Sequence, residues 1–222
     1  MKKKQKMWWW KAGGWWWKNE DDENFGDYLG PYLYEKITGN NVEFCEPEKT
    51  SENVLITVGS VMQYSKENVE LWGTGIIDTE RDVEIPNKVH SVRGPISRKV
   101  MRNMGVPCPE IFGDPALILP KIYSFNSKKK YKISVIPNLV EYDETKEYFK
   151  GLSDVNIISL RVDGKNKTKS IENIIDSICQ SEKILSSSLH GIIVAHAYGI
   201  PGIWAKLTDK IAGDGNKYHD YY

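Results

Sequence analysis

The residues best suited to chemistry are the serines and the histidine of the segment Ser186-Ser-Ser-Leu-His-Gly191. An apolar run before it predicts a short buried strand at 183–186, and small apolar residues after it predict a buried helix at 189–198. His190 would then lie in the first turn of that helix. Backbone N–H groups without intrahelical partners and the positive end of the helix dipole make such a turn typical of an anion site.

The roles of these side chains follow from that placement. An imidazole can give and accept a proton near neutral pH, so His190 is the candidate general acid and base, or a donor to bound phosphate. The alternative is a structural histidine that caps its own helix. Ser186, Ser187 and Ser188 are candidate donors to the same anion, and we expect Ser187 or Ser188 to be the N-cap. His196 faces elsewhere on the helix and is interpreted as a packing residue.

A second candidate, Arg93, lies in the first half of the chain. It ends a predicted short strand, and Gly94-Pro95 opens the helix that follows, with proline suited to the first turn. Arg93 is therefore expected where strand ends border the cleft of an open α/β sheet. Arginine suits bidentate recognition of carboxylate and phosphate. A surface salt bridge is the alternative.

Two further polar positions precede Arg93. Asp27 opens a predicted helix and is interpreted as its N-cap, or as a polar group that faces a cleft. Gly59 and Ser60 follow a β-branched strand at 54–58. They either present backbone N–H groups to a ligand or form a simple turn.

Composition and charge exclude several classes of protein. The chain has 222 residues with 30 basic and 30 acidic side chains, and this balance does not favour nucleic acid as a partner. Cys45, Cys108 and Cys179 form no CxxC, so we expect reduced thiols in a cytoplasmic protein without a metal site. No apolar run is long enough to span a bilayer, and the basic start lacks the apolar core of a secretory signal.

The N-terminal segment 1–18 is unusually rich in lysine and tryptophan. It predicts a first strand with a bulky end, followed by a turn. The alternative is an interfacial anchor, because tryptophan and lysine together suit an anionic membrane surface. That alternative implies peripheral contact with the inner face of the cytoplasmic membrane.

Strands alternate with helices along the chain, which predicts parallel sheets with right-handed crossovers. We expect an α/β protein of two Rossmann-like lobes, 1–122 and 123–222, divided in the lysine-rich segment 123–130. A ligand should bind between the lobes, at the carboxyl ends of the strands.

Five motifs occur in order: Asn24-Phe-Gly-Asp27, Trp72-Gly-Thr-Gly-Ile76, Val92-Arg-Gly-Pro-Ile-Ser97, Gly113-Asp-Pro-Ala116 and Ser187-Ser-Leu-His-Gly-Ile-Ile-Val-Ala-His-Ala-Tyr-Gly-Ile-Pro201. This series resembles the polysaccharide pyruvyl transferase family, especially its exopolysaccharide ketal-forming branch. The resemblance implies a two-lobed fold similar to GT-B glycosyltransferases. It also implies transfer of pyruvate from phosphoenolpyruvate to two hydroxyls of a sugar, without a cofactor. The implied acceptor is a lipid-linked oligosaccharide precursor of a bacterial surface polymer.

The chain departs from the family pattern in two places. Many relatives carry arginine two residues before the histidine, where this chain has Ser188. The donor's anionic groups would then depend on Arg93, on Arg98 or Lys206, and on the backbone. The chain also stops at Tyr222, where relatives continue, which predicts a truncated C-terminal lobe.

Two other functions stay open. One is a glycosyltransferase that uses a nucleotide-sugar on the same fold, because fold alone does not decide function. The other is a non-catalytic carbohydrate-binding or scaffold protein of polysaccharide assembly, which the short C-terminus favours.

Overall fold

The computed structural model describes residues 4–11, 20–126 and 128–222. They divide into two compact units. Unit 1 comprises Met1–Trp10, Asp27–Pro115 and Ala212–Tyr222, and unit 2 comprises Lys11–Gly26 and Ala116–Ile211. The sequence pattern predicts a single division, with lobes 1–122 and 123–222. The structure instead assigns an early segment to the second unit and the chain end to the first.

Unit 1 contains a five-stranded sheet in the order β3-β1-β4-β5-β6, with every neighbouring pair parallel. The strands are β1 (Gln5–Trp8), β3 (Val42–Phe44), β4 (Val54–Ile56), β5 (Val69–Trp72) and β6 (Lys88–Ser91). Val54, Ile56, Val69 and Leu71 alternate with less buried neighbours, so one face of the sheet packs into the core.

Two of the six tryptophans in the N-terminal segment pack into the core at the end of β1. Trp8 and Trp9 are buried. The ring centroid of Trp8 lies 4.4 Å from that of Tyr64, and the ring centroid of Trp9 lies 4.9 Å from that of Phe44. The predicted first strand with a bulky end is therefore confirmed. The second tryptophan block, 15–17, and the predicted turn before it lie outside the described residues.

The helices after the first strands are α1 (Phe25–Thr38) and α2 (Pro95–Asn103), and α7 (Asn216–His219) lies near the chain end. The predicted start of α2 at Gly94-Pro95 is confirmed. The prediction that Asp27 caps α1 is wrong, because the helix begins earlier. The Oδ1 atom of Asn24 accepts a hydrogen bond from the backbone N–H of Gly26 at 3.0 Å, which is the geometry of an N-cap.

Unit 2 contains a four-stranded parallel sheet in the order β11-β10-β7-β8, and β2 pairs with β9 in a small antiparallel ribbon. The strands are β2 (Glu23–Asn24), β7 (Tyr131–Ile136), β8 (Val155–Ile157), β9 (Arg161–Val162), β10 (Ser181–Ser186) and β11 (Gly202–Trp204). The helices are α3 (Leu119–Ile122), α4 (Tyr142–Tyr148), α5 (Lys167–Cys179) and α6 (Leu189–Ala197). The predicted α/β class with parallel sheets is confirmed.

Helix α5 shows how local chemistry sets an element boundary. The sequence pattern predicts Ser170 as its N-cap and an apolar face formed by Ile171, Ile174, Ile175 and Ile178. That face is buried, but the helix begins before Ser170. The Oδ1 atom of Asn166 accepts from the N–H of Lys169 at 3.0 Å and caps the helix. The hydroxyl of Ser170 instead accepts from the N–H of Asp163 at 2.9 Å.

Across the parts of the chain that the structure describes, no helix is long and apolar enough to cross a bilayer.

Candidate functional site

The serine turn, Ser186–Ser188, connects β10 to α6 at the carboxyl edge of the sheet in unit 2. Strand β7 ends beside it, with Ile136 in register with Ser186. The buried Ser186 hydroxyl lies 2.7 Å from the carbonyl oxygen of Ile136 and 2.8 Å from that of Ser188. It also accepts from the N–H of Ser188 at 3.0 Å. Ser186 therefore holds the turn in shape.

Ser187 is held by residues that follow β7 at the same edge of the sheet. Its buried hydroxyl donates to a carboxylate oxygen of Glu141 and accepts from the N–H of Asn138 at 2.9 Å. The other oxygen of Glu141 accepts from the hydroxyl of Thr208 at 2.6 Å. The side chain of Ser187 thus binds a residue that the sequence analysis did not single out.

Ser188 occupies the N-cap position of α6. Its backbone is extended, but among the described residues its hydroxyl makes no capping hydrogen bond. The prediction of a serine at the N-cap is confirmed, and the prediction that its hydroxyl satisfies the first turn is wrong. Backbone N–H groups of that turn, which a helix leaves without internal partners, are therefore not capped by this side chain.

Gly191 lets α6 approach the sheet closely. A β-carbon added at Gly191 would lie 2.4 Å from the Ser186 hydroxyl oxygen and 3.0 Å from the nearest side-chain atom of Ile136. Only glycine fits without a shift of the turn. The glycine after the histidine is therefore part of what brings the first turn of α6 against the edge of the sheet.

His190 lies in the first turn of α6, as predicted, and only 7% of it is exposed. Its ring packs against the start of α1. A β-carbon at Gly26 would lie 2.3 Å from Nδ1 of His190 and 2.8 Å from its Cγ. Two helices thus begin beside one imidazole, which concentrates the positive ends of two helix dipoles there.

The start of α1 is held in place within unit 2. Phe25 directly follows β2, which pairs with β9. The N–H of Phe25 donates to the carbonyl oxygen of Leu160 at 2.9 Å. Phe25 is fully buried. The glycine at position 26 and the cap at Asn24 belong to the first of the five motifs, which gives that motif a physical role in this unit.

Arg93 is engaged within unit 1. Its side chain is fully buried and pairs with Asp220, whose Oδ2 lies 3.1 Å from Nε and 3.0 Å from Nη2. The guanidinium also donates to the carbonyl oxygen of Ile76 at 2.7 Å and to the hydroxyl of Ser60 at 2.7 Å. Burial lowers the pKa of the guanidinium, and the charge of Asp220 opposes that effect.

This pairing corresponds to the salt-bridge alternative for Arg93, except that the bridge is buried instead of exposed. A direct contact between Arg93 and an anionic ligand stays a prediction, and it would require the guanidinium to change partners.

The structure does bring four predicted residues, Asp27, Gly59, Ser60 and Arg93, together in unit 1. Ser60 binds Arg93, the carbonyl oxygen of Gly59 accepts from it at 3.5 Å, and a β-carbon at Gly59 would lie 3.2 Å from Oδ1 of Asp27.

The other predicted cations have carboxylate partners. Arg98 on α2 pairs with Glu110 at 2.9 Å and donates to the carbonyl oxygen of Cys108 at 3.2 Å. Lys206 follows β11 and pairs with the exposed carboxylate of Asp209. Within residues 4–11, 20–126 and 128–222, no group of three or more His, Cys, Asp or Glu side chains could hold a metal ion.

The comparison with known families agrees with these features. A model described as Polysaccharide pyruvyl transferase matches residues 66–205, well over half of the chain. The match includes Arg93, Glu141 and the whole turn from Ser186 to His190. The chain belongs to the polysaccharide pyruvyl transferase family. The resemblance inferred from the five motifs is confirmed.

Two curated proteins are each 27% identical to the chain. An uncharacterized protein of Acanthamoeba polyphaga mimivirus aligns over 90% of this chain and 70% of its own length. The succinoglycan biosynthesis protein ExoV of Rhizobium meliloti aligns over 89% of this chain and 60% of its own length. The chain is thus shorter than both relatives.

One crystal structure shows the same fold. It is an uncharacterized protein from Klebsiella pneumoniae with a TM-score of 0.56 and 12% sequence identity. The alignment covers 99% of this chain and 87% of the Klebsiella chain.

Proposed function

We propose that the protein transfers pyruvate from phosphoenolpyruvate to two hydroxyls of a sugar in a polysaccharide precursor, forming a ketal and releasing phosphate. The observation that carries the proposal is the buried imidazole of His190, held where α6 and α1 begin, in a member of the pyruvyl transferase family. The similarity to ExoV, a succinoglycan biosynthesis protein, supports an exopolysaccharide as the product class.

The reaction needs one group that can both give and take a proton. Protonation of the methylene carbon of the donor builds positive charge on the adjacent carbon, and a sugar hydroxyl attacks that carbon. The carbon–oxygen bond to phosphate then breaks, and the second hydroxyl closes the ketal. One of the two hydroxyl protons ends on the new methyl group and the other on phosphate. His190 is proposed to move these protons, since imidazole titrates near neutral pH.

The donor's phosphate and carboxylate need positive charge and N–H donors. We assign the phosphate to the first turn of α6, which carries His190, and we propose its backbone N–H groups and the Ser188 hydroxyl as donors. Ser186 and Ser187 contribute through the shape of the turn. Arg93, Arg98 and Lys206 remain candidates for the carboxylate, each on condition that it leaves its present partner. We propose that the transfer requires neither a metal nor a cofactor.

The acceptor is proposed to be a sugar of a lipid-linked oligosaccharide at the inner face of the cytoplasmic membrane. A cytoplasmic location suits phosphoenolpyruvate. Peripheral contact with an anionic surface is proposed for the exposed Lys4 and Trp10, since Trp8 and Trp9 are buried. A two-lobed arrangement similar to GT-B glycosyltransferases belongs to the same proposal.

A phosphate-release assay tests the proposal. Purified protein is mixed with phosphoenolpyruvate and with galactosyl, glucosyl or mannosyl acceptors, and the product is checked for a ketal by mass spectrometry. We expect phosphate release that depends on one acceptor, and no turnover of nucleotide-sugars. Turnover of a nucleotide-sugar instead would establish the glycosyltransferase alternative. Acceptor binding without any turnover would favour the scaffold alternative.

A further inference from the structure

Glu141 is fully buried. Its carboxylate connects, by hydrogen bonds, the loops that follow the adjacent strands β7, β10 and β11 of unit 2. It lies in a short 3-10 turn after β7. Its Oε2 atom accepts from Ser187, which follows β10, and its Oε1 atom accepts from Thr208 at 2.6 Å, which follows β11. One side chain therefore links the loops at the edge of the sheet where the serine turn lies.

Each hydroxyl that binds Glu141 has a second partner. The Ser187 hydroxyl accepts from the N–H of Asn138 at 2.9 Å, and the Thr208 hydroxyl accepts from the N–H of Lys210 at 3.1 Å. Each hydroxyl has one proton, which it donates to a carboxylate oxygen of Glu141. A glutamine would offer one acceptor oxygen and one amide N–H, so one of the two hydroxyls would lose its acceptor.

Burying a carboxylate is costly unless hydrogen bonds compensate for lost water. Two hydroxyls from separate loops supply that compensation here, so the loops and the carboxylate fix one another. We propose that Glu141 is a positioning residue for donor binding: through Ser187 it holds the first turn of α6 in the conformation that binds phosphate. The inference rests on the proposed function, because that function assigns an anion to this turn.

The test compares Glu141→Gln with Glu144→Gln. Glu144 lies three residues further on, is exposed and pairs with Lys210 at 2.5 Å, so it is a matched control for the same chemical change. Inorganic phosphate is titrated into each labelled protein, and the amide ¹H–¹⁵N signals of 188–191 are followed. This readout does not depend on turnover.

We expect wild type and Glu144→Gln to bind phosphate equally. Glu141→Gln should bind at least about tenfold more weakly, because the loss of a hydrogen bond to a charged group has an effect of that order. In the activity assay, the KM for phosphoenolpyruvate should rise by a similar factor, and kcat should change less. Equal phosphate affinity in Glu141→Gln and wild type would overturn the role of Glu141 and leave the proposed function intact.

The remaining outcomes separate the two proposals. Wild-type signals that do not respond to phosphate would overturn the anion site, and with it both proposals. Weak binding by Glu141→Gln in a protein that makes no ketal would keep Glu141 as a positioning residue and reject pyruvyl transfer. If Glu141→Gln does not fold, Ser187→Ala decides, since it removes the hydroxyl through which Glu141 is proposed to act and leaves the carboxylate in contact with Thr208. Unchanged phosphate affinity in Ser187→Ala would then overturn the role of Glu141.

Discussion

Gly26 and His190 are in such close contact that a β-carbon on the glycine would lie 2.3 Å from Nδ1 of the imidazole. No real pair of such atoms approaches this closely, so an alanine here must displace the ring or the start of α1. The contact explains why a glycine stands in the first turn of a helix, where it weakens the helix by about 1 kcal/mol relative to alanine.

The first prediction concerns that contact. Gly26→Ala should lower kcat/KM by about 100-fold, because a displacement of about 1 Å in a catalytic group can cost that much. It should destabilise the fold by about 1–3 kcal/mol through overpacking. Gly202→Ala is the control, since its β-carbon would meet ordinary contacts of 3.5 Å at Ala195 and His196. Full activity in Gly26→Ala would show that the position of the ring does not matter.

The second prediction concerns Arg93 and Asp220. Asp220→Asn should destabilise the protein by about 3–5 kcal/mol, because it leaves a buried guanidinium without its counter-charge. Urea unfolding measures the loss. Asp209→Asn is the control, since its carboxylate is 91% exposed and pairs with Lys206 at the surface. Unchanged stability with a large rise in the KM for phosphoenolpyruvate would instead show that Arg93 acts on the donor.

The third prediction concerns Cys179, which is buried at the end of α5. Burial raises the pKa of its thiol to about 12. At pH 8 the native protein should therefore react with a thiol-specific reagent at the half-buried Cys45 and not at Cys179. Urea should expose Cys179 as well. Mass spectrometry of labelled peptides identifies the sites, and rapid labelling of Cys179 in the native state would contradict its burial.

The same shift gives a pH dependence of stability. The folded state favours the neutral thiol, because its pKa lies above the ordinary value of about 8.5. This contribution to stability is complete below about pH 8.5 and is lost as the pH rises toward 12. Replacing Cys179 with alanine should flatten the decline of the urea midpoint between pH 8 and pH 10, although it lowers the midpoint at every pH by opening a cavity.

The fourth prediction concerns metals. Turnover should persist after extensive treatment with a chelator and should not rise when divalent cations are added. Activity lost on chelation and restored by a single metal ion would contradict a proton-transfer mechanism that relies on His190 alone.

Local pattern predicted much of the fold. The alternation of apolar strands and helices predicted parallel sheets, and the isoleucines of α5 predicted its buried face, since periodicity depends on neighbours in sequence. The first residues of the helices were harder to predict, because two residues able to cap a helix lie within a few positions of each other. Asn24 and Asn166 cap α1 and α5, whereas Asp27 and Ser170 have the same capping chemistry and lie within each helix.

The partners in the site could not be predicted in this way. Sequence pattern placed His190 in the first turn of a helix, but Ser187 and Glu141 are 46 residues apart, and Arg93 and Asp220 are 127 residues apart. Glu141 stands in an acidic stretch that is typical of a solvated helix start. No local signal distinguishes it from Glu144, and only the folded chain shows that one is buried and the other exposed.

The central claim is that the imidazole at position 190 transfers protons during pyruvyl transfer. His190→Gln and His196→Gln should be compared in the phosphate-release assay with phosphoenolpyruvate and a productive acceptor. His196 lies on the same helix, and its ring contacts the carbonyl oxygen of Gly202 at 3.0 Å. We predict that His190→Gln lowers kcat by about 100-fold to 10,000-fold, as expected for loss of a general acid–base group, and that His196→Gln keeps most activity. Equal turnover by wild type and His190→Gln, with both proteins folded, would contradict the account.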